Sequence, residues 1–191
     1  MKQTKFFSPT LNDIYEAVLD ICAQIVEKGL SVDVIVGISR GGLVPSRLFS
    51  DILDVNQVEI VKAEYYTGIM EKARKPVVSV PEDLNVKNMN VLLVDDVADT
   101  GDTLIEVEKE LLKMGAANVY KATLYVKPWN KAKIDFYHRM VDAWIIFPWE
   151  IAETIRVAKE SERGEVYKAI RLPDRMIKKI CKLIKGKGSK N

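Results

Sequence analysis

The segment from Val91 to Thr103 constrains the fold more than any other part of the chain. It begins with four branched apolar residues, Val91 to Val94, which predict a short strand buried on both faces. Two adjacent carboxylates, Asp95 and Asp96, follow directly. The segment then ends in a Thr-Gly-x-Thr turn before a helical apolar pattern, which is typical of a helix N-terminus. A strand, a polar loop and a helix in this order predict an α/β unit.

The turn at residues 99–103 carries groups that bind phosphate. Backbone N–H groups at the start of a helix attract anions, and two threonine hydroxyls lie among them. Asp95 and Asp96 would repel a bare anion, so they require hydroxyl donors or a cation nearby. A sugar phosphate with vicinal hydroxyls, together with Mg²⁺, meets both requirements. For the short motifs taken singly, a solvated turn with a helix cap is the simpler interpretation.

Composition predicts an ordinary globular chain. It has 191 residues, of which 48% are hydrophobic, and a formal net charge of +2, so a packed core is expected. The balanced charge gives no reason to expect nucleic acid or a membrane as a partner. Cys22 and Cys181 lie in apolar helical patterns without a CxxC motif, which predicts buried, reduced thiols. We expect a soluble cytoplasmic protein without a signal peptide or a membrane span.

Strand and helix patterns alternate along the first two thirds of the chain. Thr10 and Asp13 have capping-box spacing at the start of a helix that Gly29 ends. The elements predicted after it are strands at 32–38, 58–66, 91–94 and 119–126, and helices at 43–53 and 103–114. This alternation predicts a central, mostly parallel sheet flanked by helices.

Two parts of the chain depart from this alternation. Residues 67–90 are polar and predict a long connection rather than a core element. After Lys127 come a dense aromatic stretch at 142–149 and helical patterns from Glu150 and over Asp174–Lys185. We predict one domain over 1–191, with a core at about 30–150, a C-terminal helical extension at about 150–185 and a frayed basic tail at 186–191.

A glycine-rich loop follows the first predicted strand. Gly41 and Gly42 let the backbone approach a ligand closely, and the helix beyond them offers N–H groups to an anion. Arg40 can hold a phosphate through two N–H groups. For this segment alone, a plain strand-to-helix turn with a surface arginine is an equal alternative. Ligands of open α/β sheets bind at the carboxyl ends of strands, where this loop and residues 95–103 are both expected.

Together, these segments resemble a known family. Residues 91–103 resemble the phosphoribosyl pyrophosphate (PRPP) signature of type I phosphoribosyltransferases, and residues 37–43 resemble the pyrophosphate loop of that family. Lys127-Pro128 and the run from Asp142 to Trp149 are similar to the purine branch, closest to the xanthine-guanine and hypoxanthine-guanine phosphoribosyltransferases. The resemblance covers roughly residues 32–150. It implies a type I phosphoribosyltransferase fold with a small hood.

The resemblance implies catalytic roles for three acids. Asp95 and Asp96 would accept the ribose hydroxyls and hold Mg²⁺, directly, through water or through those hydroxyls. Asp99 would act as the general base at purine N7, and its simpler alternative role is helix N-capping. Residues implied to bind the 5′-phosphate are Asp99, Thr100, Gly101, Asp102 and Thr103. Residues implied to bind pyrophosphate are Ser39, Arg40 and Gly41, with a cis peptide bond between Ser39 and Arg40.

For the purine base, the resemblance implies three contacts. Lys127 would donate a hydrogen bond to O6, Trp144 would stack on the ring, and the Ile145 carbonyl would meet the purine edge. Taken singly, a lysine is usually solvated and a tryptophan usually belongs to a core. Ile146 stands where the similar bacterial enzymes carry an acid, which affects recognition of the purine 2-position.

Tyr65 and Tyr66 lie where the family has a mobile catalytic loop, and closure of such a loop would exclude water from the ribosyl centre. The resemblance implies a Mg²⁺-dependent enzyme of purine salvage. It would transfer the 5-phosphoribosyl group from PRPP to a free 6-oxopurine, releasing pyrophosphate and a nucleoside monophosphate. Hypoxanthine and guanine are the expected bases, with xanthine as a further candidate, and the family implies a homodimer or homotetramer.

Two alternatives remain open at the level of sequence. The chain could be a regulatory protein of the same fold that binds PRPP or a nucleotide without turnover. It could also be a phosphoribosyltransferase for another base, although Lys127 argues against adenine and pyrimidines. An added DNA-binding domain would support the regulator, and none is visible in the sequence.

Overall fold

The computed structural model describes residues 5–64, 67–68, 71–72 and 76–187. The described α-helices are α1 (Leu11–Glu27), α2 (Leu43–Leu53), α3 (Asp102–Lys113), α4 (Ile151–Val157), α5 (Glu160–Ala169) and α6 (Asp174–Lys187). The described strands are β1 (Phe6–Phe7), β2 (Val34–Ser39), β3 (Val58–Glu64), β4 (Thr67–Gly68), β5 (Glu71–Lys72), β6 (Val77–Ser79), β7 (Asn90–Ala98), β8 (Asn118–Val126), β9 (Phe136–Met140) and β10 (Trp144–Ile145). Their contacts divide the chain into two compact units, one formed by residues up to Ile14 and from Asp142, the other by Tyr15–Val141.

The larger unit contains a six-stranded sheet in the order β6-β3-β2-β7-β8-β9. All neighbouring strands are parallel except β6, which pairs antiparallel with β3. Helices α2 and α3 pack against strands of this sheet. The predicted fold class, a mostly parallel sheet flanked by helices, is therefore confirmed.

The core of this unit lies between α3 and the sheet. Leu104, Val107 and Leu111 recur at helical spacing along α3, and all three are buried in one cluster that includes apolar residues of β2 and β7. The central strands carry branched side chains on both faces because both faces are covered. Burial of this apolar surface supplies the main free energy that favours the folded sheet.

Strand β7 is longer than the apolar run that predicted it. The prediction ended the strand at Val94, but β7 continues through both carboxylates to Ala98. The reason is the neighbouring strand: β8 runs on to Val126, so Asp95 pairs with Thr123 and Ala98 with Val126. Asp95 and Asp96 therefore lie in the last half of a strand, and the prediction that they lie in a loop was wrong.

Several edge elements were not predicted. Residues 67–90 were expected to be only a connection, but they contain β6, and Leu84 and Val86 are buried in the core cluster. The sequence did not predict β9, which pairs with β8 at the edge of the sheet. Its large side chains at Tyr137 and Met140 are exposed, so apolar and polar residues do not alternate between a buried and an exposed face. Tyr65 and Tyr66, the predicted mobile-loop residues, lie outside the described residues.

The smaller unit has its own apolar core. Strands β1 and β10 pair in parallel, and helices α4 and α5 replace the single helix predicted from Glu150, because Ala158 and Lys159 are extended. The buried residues of its core cluster are Ile146, Ile151, Ile155, Val166 and Ile170. Helix α6 extends to Lys187, so the start of the predicted frayed tail at 186–191 is helical, and residues 188–191 lie outside the described part of the chain. The predicted single domain over 1–191 stays a prediction.

The predicted capping box before α1 is present. The Thr10 N–H donates to Asp13 Oδ2 at 2.7 Å, and the Asp13 N–H donates to Thr10 Oγ1 at 3.2 Å. Asp13 Oδ2 also accepts a hydrogen bond from Arg171 at 2.8 Å within the same unit. Across the described residues, no helix is both long enough and apolar enough to cross a membrane.

The two cysteines are free thiols in different surroundings. Cys22 is only 4% exposed, as predicted, whereas Cys181 is half-buried and lies 3.6 Å from the Tyr167 hydroxyl. Burial raises the pKa of Cys22 to about 12. The stability that depends on the neutral Cys22 thiol is therefore complete below the ordinary thiol pKa and is lost as the pH rises toward about 12.

We expect a core substitution in the sheet to be costly. Replacing Leu93 by alanine removes a buried side chain from the main cluster and should lower the free energy of unfolding by about 2–5 kcal/mol. Urea denaturation followed by circular dichroism measures this change. Leu112, which is exposed on α3, provides the matched control, and its change to alanine should cost less than about 0.5 kcal/mol. Equal losses would contradict the assigned core.

We also expect the two thiols to differ in reactivity. At about pH 8 a disulfide reagent should modify one thiol of the folded chain and two thiols of the denatured chain, because Cys22 is buried and neutral. Cys181→Ser should leave no reactive thiol in the folded protein, whereas Cys22→Ala should leave one. Rapid modification of Cys22 in the folded state would contradict its burial.

Candidate active site

The two predicted ligand loops follow neighbouring strands. Strands β2 and β7 are parallel and in register from Val34 opposite Val91 to Gly37 opposite Val94. Because parallel strands end at the same edge of a sheet, the loop after β2 and the acidic end of β7 lie side by side. The expectation that both loops share one edge is confirmed.

Gly41 lies directly against the two acids. A Cβ atom at this position would lie 2.5 Å from Asp96 Oδ1 and 2.7 Å from Asp95 Oδ1, which is closer than real side chains approach. The absence of a side chain at Gly41 therefore permits the contact between the loop and the carboxylates. Gly42 is equally confined, since its Cβ would lie 2.7 Å from the Ile38 nitrogen.

The loop after β2 has a compact backbone. The Ser39–Arg40 peptide bond is cis, as the family resemblance implied. The Gly42 N–H donates to the Ile38 carbonyl at 2.8 Å, and Gly42, the N-cap residue of α2, has no side chain to accept a hydrogen bond from the helix. Arg40 is exposed, so its guanidinium lies at the solvent side of this loop.

Asp95 and Asp96 have different surroundings. Oδ1 of each carboxylate lies within 2.7 Å of the Cβ position of Gly41, so both groups reach the loop after β2. Asp96 is only 5% exposed, whereas Asp95 is half-buried and lines a cavity. Asp95 Oδ1 accepts a hydrogen bond of 2.9 Å from the Asp96 N–H, which fixes its orientation.

The cavity lies where the PRPP signature was predicted to bind phosphate. It has a volume of about 310 Å³ and is lined by Asp95, Val97, Ala98, Asp99, Thr100, Gly101, Thr103 and Leu104. Gly101 has φ +87° and is the N-cap residue of α3, so the side chain of Asp99 does not cap this helix. The simpler alternative for Asp99, helix N-capping, is therefore not what the structure shows. A volume of this size accommodates a phosphate group with part of a sugar.

Asp102 does not line the cavity. Its Oδ2 accepts a hydrogen bond of 3.0 Å from the Thr100 hydroxyl, and its N–H donates to the same hydroxyl oxygen at 3.4 Å. This pair orients Thr100 at the start of α3. Asp102 therefore supports the turn through Thr100, and its contact with phosphate remains a prediction.

The end of β8 brings Lys127 to this turn. Lys127 is only 8% exposed, and its N–H donates to the Ala98 carbonyl at 2.9 Å. Its Nζ lies 5.8 Å from the centre of the Trp129 ring. The Trp129 indole N–H in turn donates to Asp99 Oδ1 at 2.7 Å. Sequence reasoning missed Trp129, because nothing in the turn after Lys127-Pro128 indicates a partner thirty positions away.

Trp144 and Ile145 form β10 in the smaller unit. Trp144 is exposed and Ile145 is buried. The Trp144 N–H donates to Lys5 and the Ile146 N–H to Phe7, so the backbone groups of Ile145 point to the edge of β10 opposite β1. Their predicted contacts with a purine remain predictions from the sequence.

A metal at this edge would have two protein carboxylates. Among the described residues, no group of three or more His, Cys, Asp or Glu side chains is arranged to hold a metal. Asp95 and Asp96 alone do not form a complete protein cage. Mg²⁺, however, commonly binds one or two carboxylates and completes its shell with substrate phosphates and water. This donor set therefore fits a Mg²⁺ ion that arrives with a polyphosphate substrate.

Comparison with known proteins identifies the family. The profile described as phosphoribosyl transferase domain matches residues 10–155. The chain belongs to the phosphoribosyl transferase family. It is 36% identical over 121 residues to the xanthine-guanine phosphoribosyltransferase of Cereibacter sphaeroides, covering 62% of this chain and 69% of that relative. It is 31% identical over 147 residues to the enzyme of the same name from Chromohalobacter salexigens, covering 76% and 84%.

A solved structure supports the same assignment. The purine phosphoribosyltransferase of Pyrococcus horikoshii superposes with a TM-score of 0.67 and 34% sequence identity. The alignment covers 76% of this chain and 93% of that chain. The fold and the sequence therefore lead to the same phosphoribosyl transferase family.

We expect Gly101 to be required for the shape of the turn. Its replacement by alanine should lower the free energy of unfolding by more than about 1 kcal/mol, because φ is positive and the new Cβ would lie 2.5 Å from Ala132 Cβ. Gly164, inside α5, is the control: nothing lies within 4 Å of its Cβ position. There alanine should stabilise by up to about 1 kcal/mol. Chemical denaturation measures both changes, and a neutral Gly101 variant would contradict the described turn.

Proposed function

We propose that this phosphoribosyl transferase moves the 5-phosphoribosyl group of PRPP to a 6-oxopurine, releasing pyrophosphate and forming a nucleoside 5′-monophosphate. The observation that carries the proposal is the contact of Gly41 with Asp95 and Asp96 beside the cavity at residues 95–104. This edge of the sheet combines the loop after β2 for one anion, the turn before α3 for another anion, and two acids for the hydroxyls of a sugar. PRPP has these three parts in one molecule.

The turn before α3 suits the 5′-phosphate. Thr100, Gly101 and Thr103 line the cavity. A helix N-terminus favours a phosphate because its N–H groups and dipole are directed toward the anion. We assign this turn to the 5′-phosphate. Because the Thr100 hydroxyl donates its proton to Asp102, the backbone N–H groups and the Thr103 hydroxyl are the donors proposed for the phosphate.

The acids at the end of β7 suit the ribose. Ionised carboxylates only accept hydrogen bonds, so Asp95 and Asp96 can bind the 2′- and 3′-hydroxyls, which donate. The same two residues would hold Mg²⁺ together with oxygens of the substrate. When bound, Mg²⁺ supplies positive charge against the oxygens of the departing pyrophosphate. We assign Ser39, Arg40 and Gly41 to that pyrophosphate.

The purine is proposed to bind next to Asp99 and Lys127. Lys127 would donate a hydrogen bond to O6, and Asp99 would accept the proton of the base as N9 bonds to C1′ and the bond from C1′ to pyrophosphate breaks. The names of the relatives from Cereibacter sphaeroides and Pyrococcus horikoshii support a purine base. The roles proposed for Trp144 and Ile145 rest on the sequence resemblance, as does assembly as a homodimer or homotetramer.

A panel of free bases tests the proposed function. With PRPP and Mg²⁺, we expect a spectrophotometric assay to show nucleotide formation with at least one of hypoxanthine, guanine and xanthine. Adenine and pyrimidines should give none, because they do not offer Lys127 an acceptor with the geometry of purine O6. Turnover of adenine or a pyrimidine, or of no base at all, would contradict the proposal.

Substitution of the acids provides the matched variant for this assay. Asp95→Asn together with Asp96→Asn keeps the side-chain shape but removes both charges, so turnover should be lost while the circular dichroism spectrum is unchanged. Asp20→Asn together with Asp51→Asn changes the same net charge at exposed helix positions and should keep normal turnover. Near-normal activity of the first variant would show that the site is wrongly assigned.

A further inference from the structure

Trp129 connects the two side chains that the proposed function assigns to the purine edge. Its indole N–H donates to Asp99 Oδ1 at 2.7 Å, and its ring lies 5.8 Å from Lys127 Nζ. O6 and N7 are neighbouring atoms on one edge of a 6-oxopurine. To bind this edge, the protein needs a hydrogen-bond donor for O6 next to a proton acceptor for N7. Lys127 and Asp99 are proposed for these roles, and Trp129 contacts both.

We propose that Trp129 is a positioning residue that holds Asp99 and Lys127 at the spacing of purine N7 and O6. The inference rests on the proposed function, since it concerns the base of that reaction. Trp129 acts through Asp99 and Lys127 and does not itself take part in proton transfer.

The hydrogen bond to Asp99 orients its carboxylate. Asp99 is exposed, and an exposed aspartate ordinarily samples several rotamers in water. A bond from a rigid indole to Oδ1 selects one orientation, and Oδ2 is then the oxygen placed to accept the proton of the base. Selecting the reactive orientation before the base binds removes an entropic cost from the reaction.

Core packing does not account for the position of Trp129. The side chain is 51% exposed, whereas a tryptophan retained for packing is largely buried. Its ring also lies within the distance at which a cation is attracted to an aromatic face. Lys127 is itself buried, so this attraction acts in a medium of lower dielectric constant than water.

The backbone of the turn is fixed without the indole. The Lys127 N–H donates to Ala98, and the Lys131 N–H donates to Thr100 at 2.9 Å. The Asn130 N–H closes the turn on the Lys127 carbonyl at 3.0 Å. Because these bonds involve only main-chain atoms, a substitution at Trp129 changes the side chain while the turn keeps its place.

The activity test uses Trp129→Phe, which keeps an aromatic face for Lys127 but removes the N–H. With the base that the wild-type protein turns over best, kcat should fall about tenfold, the effect of a hydrogen bond to a charged group. KM for PRPP should stay unchanged. In the Asp99→Asn background, the same substitution should cause no further loss, because its effect passes through Asp99.

His138→Phe is the matched control. The His138 ring lies 2.7 Å from Asp20 Oδ2, so this variant also removes an aromatic N–H donor from a carboxylate at the same distance. His138 and Asp20 are not among the residues that line the cavity. Turnover of this control should equal that of the wild type.

A spectroscopic test separates this inference from the proposed function. The chain has three tryptophans, so its ¹⁵N-labelled indole N–H groups give three resonances, and loss of one in Trp129→Phe assigns it. That resonance should lie downfield in the wild type and shift upfield in Asp99→Ala, which removes the acceptor. The measurement needs no turnover.

The results of these experiments distinguish a failure of the inference from a failure of the proposed function. If the Trp129 indole resonance has the same position in Asp99→Ala as in the wild type, the inference is wrong even if the wild-type protein is active. Wild-type kinetics for Trp129→Phe, or an equal additional loss in the Asp99→Asn background, also overturns it while leaving the proposed function intact. A wild-type protein inactive with every base, but with the shifted resonance, contradicts the proposed function and, with it, the purine spacing assigned to Trp129.

Discussion

The parallel register between β2 and β7 is the constraint on which the site depends. Parallel pairing from Val34 with Val91 to Gly37 with Val94 directs the carboxyl ends of both strands to one edge, and the loop after β2 then lies against the acids of β7. The β7–β8 register adds the third part, since Ala98 pairs with Val126 and brings Lys127 to the same edge. Sheet pairing thus assembles groups from three distant segments, and buried apolar residues on both faces hold that pairing in place.

The sequence predicted the alternating strands and helices well, because a strand that is buried on both faces appears in the sequence as a continuous apolar run. Helix α2 was predicted at its observed bounds, since its apolar residues recur at helical spacing between clear boundaries. The length of β7 could not be predicted in the same way, because aspartate is disfavoured in strands and local preference ends the strand at Val94. The ladder to β8 overrides that preference, and it is a tertiary interaction that periodicity does not contain.

The same distinction separates the predicted site from the part that was missed. Residues 95–103 are contiguous, so their residue types and spacing already describe a turn before a helix. The contact of Trp129 with Asp99 spans thirty positions and exists only because α3 returns the chain to β8 beside β7. A single tryptophan in a turn gives no local sign of such a partner. Its signal appears only when the geometry of the crossover is known.

Two glycines bring main-chain atoms next to acidic side chains at the carboxyl ends of the strands. Gly41 is required by proximity, because a side chain would overlap the carboxylates of Asp95 and Asp96. Gly101 is required by conformation, because its φ of +87° turns the chain into α3. In both places the surface offered to a ligand is main chain, and acidic side chains border it. Such a surface can bind the phosphates of a ligand through N–H groups while the neighbouring acids accept its hydroxyls, so anions and hydroxyls are recognised by separate atoms at one edge.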